Sequence, residues 1–437
     1  MSFFPRIPTQ LSETGLTLWD LQTLLLKHFF HRRAATGREA AEHLCLPLPV
    51  IESALVALQK ERMLEYRGNA GLGDFAYGIL EEGVKQARQL LAVSSYAGAA
   101  PVPLDAYVES VAAQSLEKEQ PTLDGLRAAL GDMVIDPVLL GRIGQAMTAG
   151  RGMFLFGPPG NGKTSIAERV MNSYSDVIWI PKALEVGRTI IRLYDPRYHQ
   201  VVRLDQQWSD DQRRLIDRRW VPIRRPTIVV AGELLLEHLE VMETASGVYE
   251  APVQLKSNGG TFVVDDFGRQ RMRPHDLLNR WILPLERRYD ILNLPNGRSM
   301  QVPFDQFTIF STNLEPSDLV DEAFLRRIPF KIEVLNPTVV EFRRLMEATC
   351  QALEIEYEVD ACEYLMERHF HQAERPMRFC QPRDLMQLID VRCRFLGLPR
   401  KLTREAIDEV AHLYFGAVRP TSKSAMPRGG AYDPGTR

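Results

Sequence analysis

A glycine-rich stretch in the second third of the chain holds the residues best suited to chemistry. The apolar run Met153 to Phe156 has the character of a buried strand, and a helical pattern opens after the stretch. Glycines let such a loop curl until its backbone N–H groups face an anion, and the helix N-terminus adds positive potential there. The residues of this loop are, in order, Gly157, Pro158, Pro159, Gly160, Asn161, Gly162, Lys163, Thr164 and Ser165.

This order of residue types between a strand and a helix is the phosphate-binding loop called Walker A. It predicts that residues 157–165 bind the phosphates of ATP and that Mg²⁺ accompanies the nucleotide. Within the loop, the Lys163 ammonium would reach the terminal phosphates. The Thr164 hydroxyl would be a ligand of the metal ion.

Two adjacent carboxylates follow a second apolar strand, Thr261 to Val264. Asp265 and Asp266 therefore stand in the position called Walker B. The first carboxylate would hold Mg²⁺ through water, and the second would orient and polarise the water that attacks the phosphate. We predict Asp265 as a metal-site residue and Asp266 as a catalytic residue.

Four further features follow one another in a fixed order. They are a predicted β-hairpin around Asn296-Gly297, Asn313 at the end of the apolar strand Phe307 to Thr312, the adjacent pair Arg326 and Arg327, and Arg383 at the start of a helical pattern. The Asn-Gly pair lies between two alternating runs, which is a strong hairpin signal.

The order of these motifs, over residues 125–415, resembles the AAA+ ATPases. A hairpin just before the Asn313 strand is similar to the clade that includes MoxR-type chaperones and bacterial enhancer-binding activators. No counterpart of the loop by which the activators contact sigma factor is found. The resemblance implies an α/β fold in which a parallel P-loop sheet, flanked by helices, is followed by a small helical lid. It also implies ATP hydrolysis in a ring of identical subunits, with six as the family expectation.

The same resemblance suggests roles for the later residues. Asn313 matches sensor 1, which helps to position the attacking water. Arg327, with Arg326 as the alternative, matches the arginine finger that reaches the nucleotide of the neighbouring subunit, although either arginine could instead form a structural ion pair. Arg383 resembles sensor 2, which contacts the nucleotide phosphates from the lid.

Asp266 departs from the family pattern, in which glutamate is usual. Its side chain is one methylene shorter, so either hydrolysis is slow or the backbone lies closer to the nucleotide. An ATP-dependent assembly switch with little turnover is therefore an alternative to an ATPase that remodels a partner.

The N-terminal region resembles a winged-helix domain, because three helical patterns precede two strand patterns around the glycine-rich loop at 68–74. Such domains bind DNA or protein. Residues 38–67 hold four basic and five acidic residues, whereas a DNA-binding surface is expected to be basic. This balance favours a protein partner and leaves DNA binding through residues 1–95 as the alternative.

Composition limits the remaining possibilities. The chain has 437 residues and a formal net charge of −3, which predicts more than one domain and excludes a general attraction to nucleic acid or anionic lipid. No membrane span or signal peptide is evident, so we expect a cytoplasmic protein. The five cysteines form no metal-like pair. The expected domains are a winged helix at 1–95, a linker at 96–124, the ATPase core at 125–335, the lid at 336–418 and a disordered tail at 419–437.

An arginine-rich interval, residues 177–255, has no evident counterpart in a minimal core. Two interpretations stay open. Its arginines form ion pairs between subunits, or the interval lines a pore, with Gly247-Val248-Tyr249 as an aromatic pore loop.

Overall fold

The computed structural model describes residues 3–71, 73–150, 152–174, 177–204, 209–294 and 296–416. These residues divide into two compact units. The first comprises the described residues up to Pro158 together with Lys163–Val334, and the second comprises Pro159–Gly162 and the described residues from Leu335 onwards. The tail expected to be disordered, 419–437, lies outside the described residues.

Helices account for much of both units. The α-helices are α1 (Leu18–Arg32), α2 (Gly37–Leu44), α3 (Leu48–Lys60), α4 (Glu81–Val93), α5 (Leu104–Ala113), α6 (Leu123–Ala129), α7 (Pro137–Thr148), α8 (Lys163–Arg169), α9 (Asp210–Arg214), α10 (Val253–Lys256), α11 (Pro274–Arg287), α12 (Pro316–Leu319), α13 (Glu322–Leu325), α14 (Val339–Ala352), α15 (Val359–Leu365), α16 (Gln381–Leu396) and α17 (Arg404–Phe415). Short 3₁₀ segments are Leu11–Thr14, Leu116–Lys118, Val170–Ser173 and Leu236–Leu239, and Met366–His371 is a π-helix.

The strands belong to the first unit. They are β1 (Ala34–Thr36), β2 (Leu64–Gly71), β3 (Asp74–Ile79), β4 (Val102–Pro103), β5 (Met153–Phe156), β6 (Ile178–Pro181), β7 (Ala183–Val186), β8 (Thr189–Arg192), β9 (Trp220–Ile223), β10 (Thr227–Val230), β11 (Met242–Ala245), β12 (Val248–Glu250), β13 (Thr261–Val264), β14 (Tyr289–Asn293), β15 (Ser299–Pro303), β16 (Phe307–Thr312) and β17 (Phe330–Glu333).

Within the described residues, five strands form a parallel sheet in the order β10-β13-β16-β5-β17. Alternate residues of each strand enter separate hydrophobic cores: Met153 packs with α7 and α8, whereas Phe154 packs with Trp281 of α11. Burial on both faces explains why these strands are continuous apolar runs. The predicted α/β class, with a parallel sheet flanked by helices, is confirmed.

The N-terminal subdomain, which we define as residues 18–93, packs α1 to α4 against the antiparallel sheet β1-β3-β2. Capping boxes begin α1 at Thr17 and α2 at Thr36, in each case with an acidic residue three positions later. The three-residue strand β1 was not expected from the sequence, because so short a segment shows no alternation.

Residues 96–124, expected to be a linker, contain packed structure. Helix α5 lies within this interval and buries Tyr107, and β4 pairs with β7. The linker expectation therefore needs correction: the proline-rich part ends at Pro103, and the apolar residues that follow it recur at helical spacing.

The arginine-rich interval folds around α5. Its strands β6 and β9 pair with each other, its strands β11, β12, β8 and β7 form a mixed sheet with β4, and β10 joins the parallel sheet. Arg219 is buried against Asp217 at 2.8 Å and donates to the backbone oxygens of Thr14 at 2.9 Å and Pro101 at 3.2 Å. At this position the arginine serves contacts within the chain, which is neither of the two roles considered from the sequence.

The second unit is helical over its described residues. Helices α14 to α17 share one core that includes Phe342, Met346, Leu385 and Phe415. No single helix among the described residues of the chain is long and apolar enough to cross a membrane, although α2 and α3 together, bent by 117°, meet the criterion of length and composition.

Lys27 on α1 provides a test of the N-terminal core. Its side chain is 2% exposed, and burial lowers its pKa from 10.5 to about 8. Between pH 10.5 and 8 the lysine of the unfolded chain binds a proton, whereas the buried amine does not, because burial disfavours its charged form. The folded state therefore loses stability as pH falls through this range. We expect Lys27→Met to raise the free energy of unfolding at pH 7 by about 2 kcal/mol, and this gain to shrink as pH rises from about 8 to 10.5.

Denaturant titrations at pH 7 and pH 10 would measure this gain. The control is Lys85→Met, because Lys85 on α4 is exposed and pairs with Glu82 across one helical turn. Destabilisation by Lys27→Met at pH 7 would contradict the inferred cost of burying the ammonium.

Candidate functional site

The glycine-rich loop starts at the end of β5, which lies between β16 and β17 in the parallel sheet. Gly157 adopts φ +127°, and a Cβ there would lie 2.6 Å from the Val334 carbonyl oxygen, so this position requires glycine. The chain then enters α8 at Lys163, whose side chain is almost buried. Its Nζ donates to the Gly157 oxygen at 2.8 Å, the Pro158 oxygen at 2.9 Å and Asn313 Oδ1 at 2.8 Å.

Thr164 links this loop to the acidic pair Asp265 and Asp266. Its Oγ1 donates to Asp265 Oδ2 at 2.9 Å, although the two residues are 101 positions apart. Asp265 follows β13 and its carbonyl oxygen accepts from Gln270 Nε2 at 3.0 Å, which holds the turn behind it. A hydroxyl and a carboxylate therefore meet at the carboxyl edge of the sheet.

Asp266 is exposed and adopts a left-handed conformation, with φ +48°. Aspartate and asparagine tolerate this region better than longer residues, because their short polar side chains bond locally. The turn therefore gives a physical reason for aspartate here. The carboxylate Oδ1 accepts from Asn313 Nδ2 at 3.3 Å.

Asn313 is the meeting point of these groups. It follows β16, which lies between β13 and β5 in the sheet, and its amide contacts both Lys163 and Asp266. Thr312 Oγ1 donates to the Phe267 oxygen at 2.8 Å, which holds the two strand ends together. Three strands thus bring together five of the side chains that were predicted from sequence: Lys163, Thr164, Asp265, Asp266 and Asn313.

The two candidate finger arginines differ in their surroundings. Arg327 is one-quarter exposed, and its Nε lies 2.7 Å from Glu286 Oε1 on α11. Arg326 is exposed and, among the described residues, forms no ion pair. An arginine that must reach another subunit needs an accessible guanidinium, so this difference favours Arg326 over the preferred Arg327.

Four residues of the loop, Pro159–Gly162, belong to the second unit. There Arg378 Nη1 donates to the Pro159 oxygen at 2.5 Å, and Cys380 N–H donates to the Gly160 oxygen at 2.9 Å. Asn161 Nδ2 donates to Asn336 Oδ1 at 2.8 Å. These contacts hold the loop backbone within its unit.

Arg383 lies in the first turn of α16, as the sequence predicted, with its side chain mostly exposed and its Nε 3.7 Å from Asp384 Oδ1. Ser165 is half-buried on α8 in the first unit. Sequence reasoning missed Arg378, Glu286 and Gln270, which contact the predicted residues Pro159, Arg327 and Asp265, respectively. No local motif marks them, because their partners are distant in sequence or belong to the backbone.

Comparisons with known proteins give distant similarities. A family model described as a domain of unknown function, DUF8689, matches residues 338–413, within the helical second unit. No curated protein sequence matches the chain.

Three solved structures are similar at low identity. NtrX from Brucella abortus is 12% identical, with 67% of this chain and 60% of that chain covered and a TM-score of 0.41. The matched region is thus less than two thirds of NtrX. The RuvB Holliday junction branch migration motor of Thermotoga maritima is 12% identical, with 66% and 73% covered and a TM-score of 0.38. A mutant of the same RuvB is 12% identical, with 69% and 72% covered and a TM-score of 0.36. Over its described residues, this chain is an α/β protein with a five-stranded parallel sheet and a C-terminal helical region.

Proposed function

We propose that this chain is an AAA+ ATPase that couples Mg²⁺-dependent ATP hydrolysis to the remodelling of a protein partner. The observation that carries the proposal is the convergence of Lys163, Thr164, Asp265 and Asn313 at the carboxyl edge of the parallel sheet. Ligands of open α/β sheets bind at this edge.

The donor set at this edge fits magnesium. Thr164 and Asp265 offer a hydroxyl and a carboxylate 2.9 Å apart, and Mg²⁺ prefers such hard oxygen ligands alongside phosphates and water. We infer that these two residues hold the ion. When bound, Mg²⁺ neutralises charge on the phosphate oxygens.

The protein's own residues supply the remaining functions. Lys163 exchanges its loop carbonyl contacts for the terminal phosphates of ATP, and residues 157–165 hold the phosphate chain. Asp266 orients the attacking water, with Asn313 holding its carboxylate by the 3.3 Å hydrogen bond. Arg383 serves as sensor 2 from the helical lid.

We propose that the active form is a homo-oligomeric ring, on the family expectation a hexamer. The exposure of Arg326 supports this, since its guanidinium is available to stabilise the charge that develops on a neighbouring subunit's phosphoryl group.

We infer that residues 1–95 form a winged-helix domain that binds protein. The charged residues on the exposed side of α3 are one acid, Glu52, and one base, Lys60, and uncharged residues such as Ser53, Val56 and Gln59 lie beside them. This surface lacks the positive charge that gives DNA-binding helices much of their affinity.

We also propose a cytoplasmic location for the protein.

Asp266→Asn tests the catalytic proposal. The amide cannot accept a proton or polarise water as the carboxylate does, so we expect phosphate release to fall about a hundredfold while ATP affinity stays unchanged. Steady-state hydrolysis at increasing protein concentration, paired with equilibrium ATP binding, measures both. The control is Asp124→Asn, because Asp124 is exposed and pairs with Arg127 on α6.

A wild-type protein that binds ATP and never hydrolyses it, at any concentration and with or without duplex DNA or protein partners, would overturn the proposal. The assembly switch would then account for the nucleotide site.

A further inference from the structure

The hairpin formed by β11 and β12 lies against the end of the N-terminal subdomain. Ser95 N–H donates to the Ser246 oxygen at 2.8 Å, and Ser94 Oγ donates to the Gly247 oxygen at 2.8 Å. Gly247 adopts φ +63°, and a Cβ there would lie 2.1 Å from the Val93 oxygen. The hairpin tip is therefore packed on the end of α4, whereas a pore loop would need to be free for substrate.

The other end of the hairpin is fixed by buried charges. Lys256 on α10 is 4% exposed at its side chain, and its Nζ lies 3.1 Å from Glu250 at the end of β12. The same ammonium lies 2.8 Å from Asp195. Moving Glu250 alone would weaken the pairing of a buried cation, which is costly, so the hairpin and α10 are expected to move together.

Helix α10 leads directly into the catalytic strands. Asn258 Nδ2 donates to the Pro303 oxygen at 2.8 Å, and Asn258 Oδ1 accepts from Asp305 N–H at 2.9 Å. Asn258 precedes β13, which is followed by Asp265, and Asp305 precedes β16, which is followed by Asn313. One side chain thus ties together the entrances of both strands that carry the proposed chemistry.

We infer that the β11–β12 hairpin is a regulatory element through which the N-terminal subdomain sets the rate of hydrolysis. The inference rests on the proposed ATPase function and states how the rate of hydrolysis is regulated. The contacts of Gly247 with Val93 and Ser94 fix the hairpin tip. The ion pair of Glu250 with Lys256 links the hairpin to α10. The hydrogen bonds of Asn258 link α10 to the segments that precede β13 and β16. A protein bound to the N-terminal subdomain that displaces Ser94 thereby changes the positions of Asp266 and Asn313.

Gly247→Ala in the full chain disrupts the contact between the hairpin tip and the end of α4. The added Cβ cannot fit against Val93, so the tip must separate from α4. We expect kcat to fall about fivefold, a modest coupling between sites, with KM for ATP unchanged because the phosphate-binding loop is not touched. Hydrogen exchange is expected to rise in residues 253–266 as well as at the hairpin.

Gly397→Ala is the matched control, because Gly397 has nearly the same φ, +65°, and a Cβ there would meet nothing within 4 Å. It carries the same backbone strain without the collision, and we expect wild-type kcat. Should Gly247→Ala fail to fold, Ser94→Ala removes the Oγ hydrogen bond to the Gly247 oxygen at 2.8 Å, together with a longer one that Oγ accepts from Tyr96 N–H at 3.4 Å. It is expected to lower kcat in the same direction by about twofold.

Two outcomes separate this inference from the proposed function. If the wild type hydrolyses ATP and both Gly247→Ala and Ser94→Ala match Gly397→Ala in kcat, the regulatory role is overturned and the ATPase stands. If the wild type hydrolyses no ATP, the proposed function fails, and hydrogen exchange alone decides the coupling. Increased exchange confined to residues 93–97 and 242–250 would then overturn it.

Discussion

Replacing Lys163 with alanine is expected to lower ATP turnover on the order of a thousandfold. Lys163 is only 6% exposed, and its ammonium already donates to two loop carbonyl oxygens and to Asn313 at the edge of the sheet. Alanine removes the cation that would stabilise the negative charge of the terminal phosphates. It also removes the donor that contacts Asn313 Oδ1, and the Asn313 amide in turn donates to Asp266, the residue proposed to orient the water.

Phosphate release at saturating Mg²⁺-ATP, with ATP affinity measured separately, gives the size of this effect. Lys85→Ala is the control, because this exposed lysine on α4 is distant in sequence from the loop and pairs only weakly at the surface. We expect its turnover to equal that of the wild type. Unchanged turnover and affinity in Lys163→Ala would contradict the assignment of the whole loop.

Arg326→Ala is expected to lower turnover about a thousandfold and to leave ATP binding in each subunit intact. The reason is that the exposed guanidinium would act on the nucleotide of a neighbour. Mixing Arg326→Ala with Lys163→Ala is therefore expected to restore part of the activity that each lacks alone, because the first supplies an intact nucleotide site and the second supplies an intact arginine.

Arg327→Ala is the matched comparison one residue away. Its ion pair with Glu286 is partly exposed, so we expect a stability loss below about 1 kcal/mol and near-normal turnover. If Arg327→Ala is the inactive variant and is rescued by mixing, the finger is Arg327. If neither variant loses activity, the site is complete within one subunit and the ring proposal fails.

Most of the site residues that could be predicted belong to short local sequence motifs. The strand β5, the loop after it and helix α8 are contiguous in sequence, so their chemistry and their geometry are specified together. The carboxylates after β13 and the amide after β16 were also evident, because each ends an apolar run. Their convergence followed from placing parallel strands in one sheet, whose carboxyl ends share an edge.

The remaining features depend on contacts between distant residues. Adjacent arginines are indistinguishable by spacing, and it is the structure that distinguishes them, by the ion pair of Arg327 with Glu286 and by the greater exposure of Arg326. Gly247 resembled part of a pore loop because an aromatic residue follows nearby, yet its packing on Val93 is set by a segment 154 residues earlier. The apolar spacing in α5 was present in the sequence and was obscured by the prolines before it.

The backbone at Asp266 also limits how this site can evolve. Aspartate and glutamate codons differ by a single nucleotide, so the glutamate that is usual at this position in AAA+ ATPases is within easy mutational reach. The left-handed turn makes that exchange unfavourable, since glutamate has a longer side chain that does not bond locally to stabilise φ +48°. Asparagine and glycine, also single-nucleotide neighbours of aspartate, suit the turn and lack the carboxylate. Mutational drift at this codon therefore leads more readily to a chain that keeps the turn and loses the carboxylate than to one with glutamate.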